Sequence, residues 1–113
     1  DTRNSPADYF YTLCENEGAI IDVHDPIVKF WEEREIAINN DMNSLKKQDP
    51  EILVFTVRHK EYIQMESSEI LYYFPDVKLI VDANNIISDN TAKELIQAGI
   101  KLLGVGKGHW ENL

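Results

Sequence analysis

Cysteine is almost missing from this chain: 113 residues contain one, Cys14. A single thiol closes no intramolecular disulfide and supplies no metal set, so the cytoplasm, a reducing compartment, is the expected setting. Basic charge is also scarce. Eleven Lys and Arg stand against twenty Asp and Glu, for a formal net charge of −9. Without a basic footprint, neither nucleic acid nor an anionic membrane surface is expected as the main partner. A phosphorylated small molecule remains compatible with this charge if a local set of donors holds it. No apolar run approaches the ~20 residues that span a bilayer, and no signal-peptide pattern opens the chain. Internal repeats, low-complexity tracts and linkers are lacking too. Residues 1–113 are therefore expected to form one domain with a modest core.

What the chain does contain is an alternation of short apolar runs and helix signals. Ser5 followed by Pro6 marks a helix start, because a serine hydroxyl caps orphan N–H groups and proline at the first position forfeits no needed donor. Ala7, Phe10, Leu13 and Cys14 share the expected apolar face, and Gly18 supplies the stop. "AIIDV" is predicted as a strand ending at "HDP". Over residues 27–40, "FWEERE" reads as a helical turn and "IAI" as a short strand or extended piece. "DMNSLKKQDP" reads as a brief polar helix stopped by Pro50. Residues 51–57, "EILVFTV", form the strongest predicted strand, apolar on both faces. A helix over residues 67–74, the strand "VKLIVDA", a helix opened by a Thr91–Glu94 capping box and the strand "IKLLGVG" complete the order. Strands alternating with helices predict a mostly parallel sheet with helices on both faces. In such sheets ligands bind at the carboxyl ends of the strands, which directs attention to "HDP", "RHKEY", "DANN" and "GKGHW".

Several local patterns have bland readings that outweigh the chemical ones. Gly104, Gly106 and Gly108 are spaced G-x-G-x-G with five residues behind them, which predicts a turn rather than a dinucleotide loop. His24, His59 and His109 lie far apart, and no two are set i, i+4 on a helix, so no metal is expected. Cys14 on an apolar helix face reads as a core residue. Trp31 and Trp110 read equally as packing against a neighbouring domain or subunit and as stacking on a base. Asp82, ending "VKLIVDA", raises a second class of function, a receiver-like domain whose aspartate accepts phosphate or a purely regulatory interaction domain. In the receiver-like form Asp22 and Asp25 would have to hold Mg²⁺. Arg3 stands at a helix start, where the dipole disfavours a cation unless an anion sits there as well.

Taken together, "DTRNSPA", "VHDP", "HKEY", "VDANNI" and "GIKLLGVGKG" resemble the C-terminal, UDP-binding domain of the UDP-glucose/GDP-mannose dehydrogenase family. The resemblance implies a Rossmann-like three-layer α/β sandwich with a mostly parallel sheet, the family's first strand lying ahead of this chain. It implies a homodimeric, cytoplasmic enzyme of surface-polysaccharide synthesis that oxidises C6 of a UDP sugar to a carboxylate in two NAD-dependent steps. The NAD is bound mainly by an N-terminal domain, and the nucleophilic cysteine that forms the thioester also lies upstream. No catalytic residue is expected within this chain. By the same resemblance Arg3 reaches the NAD side of the site, while Asn84, Asn85 and His59 contact the nucleotide sugar. The family's D-G-R-[R/N] stretch is D-A-N-N here, so an amide replaces a guanidinium. "VRHKEY" resembles the form found in the branch acting on UDP-N-acetylhexosamines. The identity of the sugar stays open.

Overall fold

The computed structural model describes residues 6–32 and 34–113. The chain divides into two compact units, Asp1–Gln48 and Asp49–Leu113.

The first unit opens with helix α1 (Pro6–Asn16), as the Ser-Pro signal predicts, although Ser5 itself lies outside the described residues. Its packing face differs from the expected one. Phe10 and Leu13 are exposed, whereas Tyr11 meets the buried Trp31 edge to face, with ring centroids 5.5 Å apart. The reason is Arg34. Its guanidinium lies 4.3 Å from the Tyr11 ring centroid and 5.3 Å from that of Trp31. It pairs with Asp8 at 2.8 Å and donates to the Asp8 carbonyl and to the Thr12 hydroxyl. Asp8, Tyr11 and Thr12 fall at i, i+3 and i+4, so one polar and aromatic stripe of α1 closes on one arginine.

"AIIDV" forms no strand. Only an isolated bridge joins His24 to Asn39, because the segment runs into a side-chain-built turn. The Asp25 carboxylate accepts from the Ile27 and Val28 amides at 2.8 and 2.9 Å, and Asn40 donates to the Asp25 and Val28 carbonyls. These local bonds compete with a sheet ladder for the same backbone groups. The "FWEERE" region is a small antiparallel hairpin, β1 (Phe30–Trp31) and β2 (Ile36–Ala37), reversed by a turn with Glu35 at φ 54°. Helix α2 (Met42–Gln48) follows as predicted.

The second unit carries the main sheet: β3 (Ile52–Phe55), β4 (Leu79–Asp82) and β5 (Lys101–Gly104), parallel and in sequence order. Helices α3 (Lys60–Ile63) and α4 (Ser67–Tyr73) connect β3 to β4, and α5 (Asp89–Gln97) connects β4 to β5. Right-handed crossovers between sequential strands place these helices on one face, and α4 indeed packs against α5. The register sets Leu53, Ile80 and Leu102 side by side, with Phe55, Asp82 and Gly104 next along the same face. Ile80, Ile70, Phe74, Ala92 and Leu95 are essentially inaccessible and form the centre of this core.

Two details differ from expectation. Helix α5 begins three residues ahead of the anticipated capping box, because the Ser88 hydroxyl accepts from the Thr91 amide and is the true cap. The chain's last residues form a 3-10 helix (Gly108–Asn112) in place of a plain turn.

Candidate functional site

Because β3, β4 and β5 run parallel, their following loops share one rim. That rim holds Arg58 and His59 after β3, Asn84 and Asn85 after β4, and Lys107 to Trp110 after β5. Three of the residues singled out in the sequence, His59, Asn84 and Asn85, therefore lie on the same edge of one sheet. Arg3 lies outside the described residues.

Asp82 organises the centre of this rim. Its side chain is fully buried, yet all its visible partners are backbone amides. Ile86 donates to both carboxylate oxygens at 2.9 and 2.8 Å, Ile87 to Oδ2 at 2.8 Å, and Asn84 to Oδ1 at 3.1 Å. One carboxylate thus folds the whole β4–α5 loop around itself. A phosphoacceptor must be reachable by a phosphoryl donor, and this aspartate is not. Asp25, needed as a Mg²⁺ ligand in the receiver-like reading, already spends Oδ1 on two amides. The geometry overturns the phosphoacceptor form of that alternative.

The loop so formed is tied to its neighbour at two points. The Asn84 side-chain amide donates to the Thr56 carbonyl at 3.3 Å, and Arg58 Nη1 donates to the Asn85 carbonyl. Asn85 adopts φ 55°, a left-handed conformation that asparagine tolerates better than most residues. Both asparagines remain exposed. His59 caps α3, its Nδ1 accepting from the Glu61 amide at 3.4 Å. With Nδ1 an acceptor, a neutral His59 carries its proton on Nε2, available as a donor.

After β5, Gly104 is required by close approach. A Cβ there would meet Lys107 Cγ at 2.7 Å and Trp110 Cζ3 at 2.9 Å. Trp110 is buried, and its indole N–H donates to Asp89 at 2.9 Å. His109 Nε2 meets the same oxygen at 2.9 Å. Both tryptophans are thus committed to packing inside their own units, Trp31 through Tyr11 and Arg34 and Trp110 through Asp89, and neither is presented for stacking on a base. The glycine series forms this turn and a five-residue 3-10 helix. A dinucleotide loop needs a full helix whose amides face the pyrophosphate, so these residues do not fit NAD.

The hydrogen bond with His109 is the main cause that holds the Asp89 carboxyl below its usual range. The Trp110 bond follows, nearby positive charge adds to both, and burial opposes them. A depressed carboxyl contributes stability that is complete above the ordinary carboxylate range and is lost as pH falls through the lowered value. Asp89→Asn should therefore unfold at lower urea than wild type at about pH 6, with the gap closing on acidification. A gap of constant size down to the acid limit would show that the charge of Asp89 plays no part.

Arg58 and the Asp89–His109–Trp110 cluster escaped the sequence reading. Arg58 is adjacent to His59 in "VRHKEY", a local signal that was available. The Asp89 cluster spans twenty residues and one helix, and no local pattern announces it.

No helix among the described residues is long and apolar enough to cross a membrane. The sequence matches the UDP-glucose/GDP-mannose dehydrogenase family, UDP binding domain, over residues 1–89. No curated protein matches it. Among solved structures, it is similar to the NDP-N-acetyl-D-galactosaminuronic acid dehydrogenase from Methanosarcina mazei Go1. The TM-score is 0.77 at 23% identity, over 94% of this chain and 21% of that one. The chain thus spans about a fifth of that structure's length.

Proposed function

Because the chain belongs to the UDP-glucose/GDP-mannose dehydrogenase family, we propose that residues 1–113 are the nucleotide-sugar-binding C-terminal domain of an NAD-dependent UDP-sugar 6-dehydrogenase. The observation that carries this reading is the family match itself, which spans the rim after β3 and β4 where the polar groups gather. In this reading the enzyme oxidises C6 of a UDP-hexose or UDP-N-acetylhexosamine to the uronic acid, works as a cytoplasmic homodimer and supplies polysaccharide synthesis. NAD, the hydride acceptor, is held mainly by residues outside this chain, with Arg3 reaching toward it.

The chemistry left to this chain is grip and orientation. Asn84 Oδ1 accepts from a sugar or base N–H or O–H, Asn85 offers its side-chain amide, and His59 Nε2–H donates to an oxygen acceptor. Each is mounted on a loop whose backbone is already pinned, so less ordering entropy opposes binding. The "VRHKEY" form favours an N-acetylated hexosamine, and the solved neighbour is named for an N-acetylated galactosaminuronic acid.

Two assays test this. Given NAD and a panel of UDP sugars, the full-length enzyme should produce NADH with at least one of them, whereas this chain alone should produce none. A full-length enzyme that turned over no UDP sugar while remaining folded would sink the reading.

A further inference from the structure

The acidic composition makes one cation on the rim unusual. With twenty carboxylates and eleven Lys and Arg in the chain, an arginine ordinarily finds an acidic neighbour, as Arg34 does in Asp8. Arg58 does not. It is exposed, and among the described residues it forms no ion pair and one hydrogen bond, to the neutral Asn85 carbonyl. A guanidinium has five N–H donors, so most of its donor fork remains unspent. That fork stands at the carboxyl edge of the sheet, between the loops after β3 and β4, beside His59 and Asn84. Of the other cations there, Lys107 is engaged over the Trp110 ring with Nζ 5.5 Å from its centroid. Lys60 belongs to α3 and is tied to neither asparagine of the β4 loop.

We infer that Arg58 contacts the diphosphate of the bound nucleoside diphosphate sugar and, through the Asn85 carbonyl, sets the β4 loop that receives the rest of the ligand. This rests on the reading of the chain as a UDP-sugar-binding domain and assigns its anion contact to one residue of the "VRHKEY" stretch. The physical ground is fit. A planar fork matches two phosphate oxygens at once, which an ammonium point charge cannot do. Anchoring one N–H on Asn85 holds the plane in place before the ligand arrives, which lowers the entropy lost on binding. The contact also explains why this arginine is left without a carboxylate: an internal ion pair would compete with the phosphate for the same donors.

The test uses the full-length enzyme and three titrants, UDP, UMP and uridine, with wild type, Arg58→Ala and Arg58→Lys. Arg58→Ala should weaken UDP binding about 10- to 100-fold while uridine changes by less than about twofold. UMP should fall between them, and Arg58→Lys should recover only part of the UDP affinity. Unchanged UDP affinity in Arg58→Ala, with wild type binding UDP normally, overturns the inference and leaves the family reading standing. Equal losses for UDP and uridine also overturn it, because they assign Arg58 to loop shape alone. A wild-type enzyme with no affinity for UDP removes the underlying reading and the inference with it.

Discussion

Asp82→Ala is expected to lower the stability of the protein by about 3–5 kcal/mol, the largest effect of any single substitution on the rim. The carboxylate is fully buried and satisfies the amides of Asn84, Ile86 and Ile87. Ile86 and Ile87 are themselves buried, so water cannot replace the lost acceptor cheaply. Each orphaned buried donor costs about 1–3 kcal/mol, and a cavity where the carboxylate stood adds to that. A loss of that size is a large share of the about 5–15 kcal/mol that holds an ordinary domain folded. Asp82→Asn keeps the volume and one acceptor oxygen but turns an NH₂ toward amides that also donate, so about 1–3 kcal/mol should go. The measurement is urea unfolding of the two variants beside wild type. UDP affinity should fall with them, since the Asn84–Asn85 loop is held by Asp82 from within. Unfolding midpoints that coincide with wild type would mean that the loop keeps its shape without its carboxylate.

The second large effect is expected at Arg34. Arg34→Ala removes an ion pair to Asp8 at 2.8 Å, hydrogen bonds to the Asp8 carbonyl and Thr12 hydroxyl, and a cation stacked on Tyr11 and Trp31. The Arg34 side chain is only 18% exposed, so this is not an ordinary surface pair. Charge-assisted bonds of about 1.5–3 kcal/mol and a cation–π contact of about 0.5–2 kcal/mol suggest a loss near 2–4 kcal/mol, their terms not being fully additive. Arg34→Lys retains charge but cannot serve three acceptors and two ring faces from one nitrogen, so it should recover less than half. Tryptophan fluorescence of Trp31 during denaturation, in a Trp110→Phe background, isolates the first unit's transition. If Arg34→Ala left that transition in place, α1 and the hairpin would be held by the aromatic contact alone.

Periodicity and end signals made most elements legible. The apolar runs "ILVF", "LIV" and "KLLG" are strands where expected, because a strand buried in a parallel sheet needs no partner-specific pattern to be recognised. The rim followed from them, since parallel strands put their ends together whatever the loops contain. "AIIDV" misled for the converse reason. It has strand composition, but Asp25 and Asn40 take the adjoining backbone groups into a turn, and that competition is decided by residues fifteen apart. The face of α1 misled likewise: Phe10 and Leu13 carry the apolar moment, yet Arg34, twenty-six residues after Asp8, captures the opposite stripe.

By itself the sequence determined the class of the fold, the positions of its three parallel strands, the edge on which a ligand would be sought and the resemblance that the family match over residues 1–89 bears out. These follow from short-range chemistry: side-chain period, caps, and turn residues act within a few positions of themselves. Only the tertiary structure decided what each polar group at that edge does. Asp82 was a reactive candidate in the sequence and is a buried scaffold in the fold, while Arg58 was one residue of a motif and stands with most of its donors open among the described residues. The difference is burial and partnership. A carboxylate or a guanidinium has the same formula in any sequence. Its role is set by which amides, carbonyls or water the folded chain brings within three ångströms of it, to the order of a hydrogen bond.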